Sequence, residues 1–245
     1  LKHILVTNDD GIYGPGLNPL VRELGKIAKV TVVVPDQERS GTSHSITLHK
    51  PLRIQKLSAQ TYIVNGTPAD CVRFGALLLM ERNVDLVVSG INSGPNMGHD
   101  VIYSGTVAGA REGALLKLPA FAISIVELLR PDFKLAARVA LKLAKAIFQN
   151  VLPPDIYLNV NVPNKVKGYA VTSLGQRIYD EEIECRTDPR GIKYYWLAGK
   201  FVSGVHQPGT DITVVEESRV SLTPLRLDPT ATESFGVFDA WKKSL

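Results

Sequence analysis

The sequence predicts an α/β fold: a mostly parallel sheet with helices on both faces, followed by a β-rich extension. Three observations carry this. Strand-like and helix-like segments alternate through residues 1–163. The strand-like runs are continuously apolar, as expected of strands covered on both faces. After about Pro163 the alternation gives way to short strand-like pieces between polar loops bearing Gly and Pro. The 245 residues are read as a single domain, with a core over 1–163 and an extension over 164–245 used for contacts between subunits.

The elements follow in order. Residues 2–7 form an apolar strand that Asn8-Asp9-Asp10-Gly11 breaks. Leu17, Leu20, Val21, Leu24 and Ala28 recur at helical spacing, and residues 30–34 are a β-branched strand. Thr67-Pro68-Ala69-Asp70 starts a helix, Thr as N-cap and Pro at the first position, running through Val72, Gly75 and Leu79. Residues 85–89 read as a strand, 105–116 as a helix and 120–125 as a strand. Pro131-Asp132 opens a long amphipathic helix to about Gln149, and residues 156–162 form a further strand. In the extension, residues 169–172, 194–197 and 220–222 are strand-like.

Composition narrows the function. With 44% hydrophobic and 21% charged residues, the chain builds a core rather than staying disordered. Its longest apolar runs, residues 76–80 and, broken only by Ser124, 121–126, fall far short of the roughly 18 residues of a membrane span. Cys71 and Cys185 make neither a disulfide framework nor a cysteine metal cluster, and they fit a reducing, cytoplasmic compartment. The first residues run into the strand without a signal-peptide pattern, so Asn65-Gly66-Thr67 is read as a chance match to a glycosylation site. The formal charge of +4 favours anionic partners, but Lys and Arg are scattered, which speaks against a stable nucleic-acid complex.

Ligands of open parallel sheets bind beyond the carboxyl ends of the strands, and three segments place unusual residues there. Asn8-Asp9-Asp10-Gly11 follows the first strand, where adjacent carboxylates invite a hard cation to share their charge. The alternative is that one Asp merely caps the next element. The stretch 35–45 follows the second strand and is long and rich in hydroxyls; it reads either as a flexible polar loop or as a functional one, in which Ser40 offers a neutral oxygen and Arg39 or His44 a partner for phosphate. The third runs from Ser89 through Asn92 and Asn96 to Tyr103-Ser104-Gly105-Thr106, where glycines permit close backbone approach and a helix N-terminus offers free N–H groups to an anion. Other motifs are absent: no G-x-x-x-x-G-K-[ST], no G-x-G-x-x-G, no paired histidines for zinc and no G-x-S-x-G elbow.

Taken together, Val6-Thr7-Asn8-Asp9-Asp10-Gly11, Val34-Pro35-Asp36-Gln37-Glu38-Arg39-Ser40-Gly41, Asn65-Gly66-Thr67-Pro68-Ala69-Asp70-Cys71-Val72, Val88-Ser89-Gly90-Ile91-Asn92-Ser93-Gly94-Pro95-Asn96-Met97-Gly98 and Tyr103-Ser104-Gly105-Thr106-Val107-Ala108-Gly109-Ala110-Arg111-Glu112-Gly113-Ala114 resemble the SurE survival-protein family, as does Thr210-Asp211. The resemblance implies a Rossmann-like core, oligomers built through the C-terminal part, and metal-dependent phosphatase activity on nucleoside 5′- and 3′-monophosphates. Other phosphate esters and polyphosphate are further candidate substrates. It implies Asp9, Asp10, Ser40 and Asn92 as ligands of one divalent ion, and this all-oxygen set suits Mg²⁺ or Mn²⁺. It assigns Asn8, Asn96, Ser104, Gly105 and Thr106 to the substrate, with Asp9, Asn96, Ser104 and Thr106 as the catalytic group. The nucleophile is either a metal-activated water or Asp9; water is favoured, since a carboxylate already on a metal is a poorer nucleophile. A nucleotide- or RNA-binding protein without turnover is the rival reading, and the adjacent acids argue against it. The aromatics Tyr194, Tyr195, Trp196 and Phe201 point to a homodimer or homotetramer.

Overall fold

The computed structural model describes residues 1–180, 182–199 and 201–242. The first half alternates β1 (His3–Thr7), α1 (Leu17–Leu24), β2 (Lys29–Pro35), β3 (Ile54–Ser58), β4 (Thr61–Val64), α2 (Pro68–Arg73), β5 (Leu86–Ser93), α3 (Gly105–Leu115), β6 (Ala120–Ile125), α4 (Phe133–Gln149) and β7 (Ile156–Val162). The second half contains β8 (Gly168–Val171), β9 (Arg177–Tyr179), β10 (Ile183–Thr187), β11 (Lys193–Leu197), β12 (Phe201–Gly204), α5 (Asp211–Glu216), β13 (Arg219–Arg226) and α6 (Phe235–Trp241).

One nine-stranded sheet runs β3-β4-β2-β1-β5-β6-β7-β13-β8. Its centre is parallel from β4 to β7; β3 pairs antiparallel with β4, and β13 antiparallel with β7. Alternate side chains of each strand enter opposite faces. Ile4 and Val6 of β1 pack with α1 and α4, through Leu20, Leu24, Ala140 and Ala144. Leu5 packs on the other side with α2 and α3, through Val72, Val107 and Ala110. Both faces are covered, which explains why the strands read as unbroken apolar runs. Helix α3 sits unusually close to the sheet: a Cβ on Gly109 would stand 2.6 Å from Ser89 Oγ.

Three features differ from the sequence expectation. The helix begun by Thr67 has the expected N-cap and first-position Pro, and Asp70 completes a capping box by answering the Thr67 backbone, but it passes into a π-helical stretch over Phe74–Leu79. The hairpin of β3 and β4 was not expected; β3 is an edge strand whose exposed, polar residues carry little hydrophobic pattern. The sheet also continues past Pro163, because β13 and β8 extend it on the far side of β7. The remaining pairs, β10–β11 and β9–β12, form separate two-stranded sheets.

Candidate functional site

Chain order reverses around β1: the path runs outward through β2 and then returns to β5 on its other side. That is a topological switch point, where open parallel sheets leave a crevice. A cleft of about 320 Å³ lies there, and Asp9, Asp10, Ser40, Asn92, Asn96 and Ser104 line it. Residues from three separate segments of sequence thus meet at one place. Asn8, Gly105 and Thr106 stand behind it.

The strand end is shaped by Asn8, which is buried and folds the turn: its Nδ2 donates to Gly11 O (2.9 Å), and its Oδ1 accepts from Gly11 N (3.0 Å). Both ends of its amide are committed to the loop, which fixes the turn that carries Asp9 and Asp10. The turn presents Asp9 inward, only 4% exposed, and Asp10 half-buried beside it. Burial pushes the Asp9 carboxyl up to about 6; a hydrogen bond from Thr106 opposes this, and Asp10 adds to it. Asp10 is raised as well, by burial first and by Glu38 in addition, against a hydrogen bond from Ser93 Oγ.

Thr106 is fully buried and its hydroxyl donates to Asp9 Oδ1, so in this arrangement it orients the carboxylate. Helix α3 approaches this closely because residue 105 is glycine: a Cβ there would lie 2.9 Å from Asp9 Cβ. Ser104 is the N-cap, its Oγ accepting from Val107 N at 3.1 Å, and it fronts the cleft with the helix's first turn behind it.

Asn92 donates through Nδ2 to Gly94 O at 2.9 Å, which leaves its carbonyl oxygen as the end able to ligate a cation. Ser40 is exposed at the rim, its hydroxyl donating to Glu38 Oε1 at 2.8 Å. Asn96 is held by a buried amide network. Its backbone N donates to Asn161 Oδ1 (2.9 Å), its backbone O accepts from Asn159 and Asn161 Nδ2 (2.7 and 2.9 Å), and its own Nδ2 donates to Ser124 Oγ (2.8 Å).

Several of these contacts escaped the sequence reading, although Asp100 and Asp211 stand in segments it singled out. Asn159 and Asn161 sit in an apolar strand, where buried amides alternating with Val160 and Val162 were the available signal. Asp100, at the cleft margin, accepts from Arg177 and from Tyr179 Oη (2.5 Å), tying the β9 strand to the cleft; burial and this carboxylate push Tyr179 up to about 12. Asp211 is fully buried and accepts from Gly98 N (2.9 Å) and Gly175 N (2.7 Å), clasping the glycine loop from α5.

The donor set fits a hard divalent cation. Two desolvated carboxylates side by side need positive charge nearby, and the remaining donors are an amide carbonyl and a hydroxyl. Among the described residues no three His, Cys, Asp or Glu side chains gather around one point, unlike a zinc centre.

Fold and cleft together define a Rossmann-like α/β protein with a polar crevice at its switch point, lined by two adjacent carboxylates and the start of α3. Comparison with known proteins sharpens the class. The family profile described as survival protein SurE matches residues 4–181. The 5′-nucleotidase SurE of Aliivibrio fischeri is 46% identical over 243 residues, covering 97% of this chain and 94% of that protein. The 5′-nucleotidase SurE of Moorella thermoacetica is 46% identical over 236 residues, covering 93% and 91%. The crystal structure of the Sure protein from Aquifex aeolicus superposes with a TM-score of 0.88 at 40% identity, covering 98% of this chain and 99% of that one. The chain belongs to the SurE survival-protein family.

Proposed function

We propose that this protein is a divalent-cation-dependent phosphatase that converts nucleoside 5′- and 3′-monophosphates to nucleoside and phosphate. The observation that carries the reading is the pairing of buried Asp9 with half-buried Asp10 at the switch point, beside the N-terminus of α3 in one cleft. The names of its relatives, 5′-nucleotidases, support the substrate class.

Asp9, Asp10, Ser40 and Asn92 would hold one Mg²⁺ or Mn²⁺. Such an ion supplies charge against the phosphoryl oxygens and lowers the pKa of water at the site. The chain's own groups do the rest. Ser104 and the first N–H groups of α3 bind and orient the phosphoryl group, helped by the positive end of the helix dipole. Asn96, immobilised by Asn159, Asn161 and Ser124, presents a fixed edge to the substrate side. Thr106 holds Asp9 in one rotamer through its hydrogen bond. Phosphate release from a panel of nucleoside monophosphates, other phosphate esters and polyphosphate, with and without chelator, tests the reading. Binding of nucleotide with no chelator-sensitive turnover would support the rival binding module instead.

The same proposal includes a homodimer or homotetramer built through the C-terminal part, residues 164–245. The β11 strand exposes Tyr195 (64%) and Trp196 (57%), and α6 exposes Phe235, Phe238 and Trp241. The chain exposes 13810 Å², whereas a compact monomer of its mass exposes roughly 10,700 Å². Such an excess is what an uncovered interface produces. Among the described residues no helix is long and apolar enough to cross a membrane.

A further inference from the structure

Glu112 lies two turns along α3 and plays no part in the cleft. It is 1% exposed, in a helix otherwise made largely of small residues. Its Oε1 accepts from Arg73 Nη1 at 2.6 Å, and its Oε2 meets His44 Nε2 at 2.8 Å. A buried carboxylate is costly to desolvate and gains little over an apolar side chain even when paired; what the pairing does define is position.

His44 belongs to the loop between β2 and β3, four residues beyond Ser40. Ser40 itself bonds only within this loop, to Glu38, as far as its hydroxyl is concerned. The loop is tied to the fold on both sides of Ser40: Arg39 N donates to Asp9 O (2.7 Å) just before it, and beyond it Ser43 N donates to Tyr103 O (2.9 Å), Ser43 Oγ to Ile102 O (2.7 Å), and His44 reaches Glu112. Helix α3 therefore holds two things. Its first turn fixes Asp9 through Thr106, and Glu112, six residues later, fixes the Ser40 loop. At 1.5 Å per residue these anchor points are about 9 Å apart on one rigid rod.

We propose that His44 and Glu112 are positioning residues that set Ser40 against the Asp9–Asp10 pair, so that the seating of this loop on α3 determines how tightly the cleft holds its divalent cation. This rests on the proposed role of Ser40 as an oxygen donor. Neither side chain touches the reacting atoms; both act through the loop.

The test is Mn²⁺ binding to the metal-free full chain, followed by the electron paramagnetic resonance of free Mn²⁺, for wild type, His44→Ala, His44→Gln, Ser40→Ala and the His44→Ala/Ser40→Ala double variant. Removing a residue that orients a ligand costs about tenfold or more in metal affinity. His44→Ala is expected to weaken Mn²⁺ binding about tenfold, and His44→Gln to restore it, since the Gln amide N–H can stand in for Nε2. The double variant should bind no more weakly than Ser40→Ala alone, because the two changes share one route. In turnover, the half-saturating Mn²⁺ concentration of His44→Ala should rise by the same factor as its Mn²⁺ dissociation constant. If His44→Ala folds poorly by circular dichroism, His44→Asn, polar but too short for the contact, takes its place. A lower melting temperature with unchanged Mn²⁺ affinity, or losses that simply add in the double variant, would overturn the inference. Wild-type affinity in Ser40→Ala would overturn both it and the ligand role of Ser40. A weakened Ser40→Ala beside a wild-type His44→Ala would overturn the inference alone.

Discussion

Asp9 burdens the metal-free protein by an amount that can be worked out. Burial raises its carboxyl from 3.8 to about 6, and a difference of about 2 pK units corresponds to roughly 3 kcal/mol. Because the folded-state pKa of this acid is raised, its ionisation favours the unfolded chain. Below the unfolded value both states are protonated and the group contributes nothing. Between 3.8 and about 6 stability declines as pH rises, and above about 6 the full cost is present. Asp9→Asn removes the charge while its amide oxygen can still accept from Thr106. In chelator at pH 7.5 this variant should therefore be more stable than wild type, by at most about 3 kcal/mol, or about 6–12 °C in melting temperature for a chain of this size. At pH 4 the two should converge. Thermal unfolding followed by circular dichroism across this range measures both ends. With Mn²⁺ in excess the order should invert, because only the wild type gains the full stabilisation of a bound ion. An Asp9→Asn protein that melts at or below wild type in chelator at pH 7.5, or a gap that persists unchanged at pH 4, would refute the reasoning.

Three further outcomes are expected. Ser104→Ala removes a hydroxyl at the helix start; losing one hydrogen bond to a charged group costs about 1.5–3 kcal/mol, so kcat/KM should fall roughly ten- to a hundred-fold. Wild-type kinetics there would count against a phosphate cradle at α3. Thr106→Val keeps the buried volume but removes the donor that holds Asp9, so the Mn²⁺ requirement should rise while KM for the nucleotide stays put; a change confined to KM would return Thr106 to the substrate side. Light scattering at micromolar concentration should give a twofold or fourfold multiple of 26.7 kDa, reduced by polar replacement of Tyr195 and Trp196, whereas a monomeric mass would refute assembly.

How much of this was legible in the sequence depends on which physical signal each part leaves. The central strands and α4 were readable because burial on both faces imposes unbroken apolar runs, and burial on one face imposes helical spacing. The edge strand β3 left no such mark, its residues being mostly solvated. The short strands of the C-terminal half are likewise exposed, and β13 gave little warning that it would join the main sheet beside β7. At the site, residue types and their places at strand ends located Asp9, Asp10, Asn92 and Ser104. Direction was another matter. That Thr106 turns back to Asp9, and that Asn8 spends its amide on Gly11, depends on backbone geometry that spacing does not encode. The supporting contacts from Asn161, Asp211 and Glu112 join residues distant in sequence, so only the assembled sheet reveals them.

The most direct test of a cation-dependent phosphatase centred on the carboxylate pair is a titration. Metal-free protein is supplied with Mn²⁺ and a nucleoside 5′-monophosphate, and phosphate release is followed for wild type and for Asp10→Asn, both shown folded by circular dichroism. Wild type should be silent in chelator and rise to saturation with Mn²⁺, while Asp10→Asn should need at least about tenfold more ion. Turnover that persists in chelator, or an Asp10→Asn curve that overlays the wild type, would contradict the account.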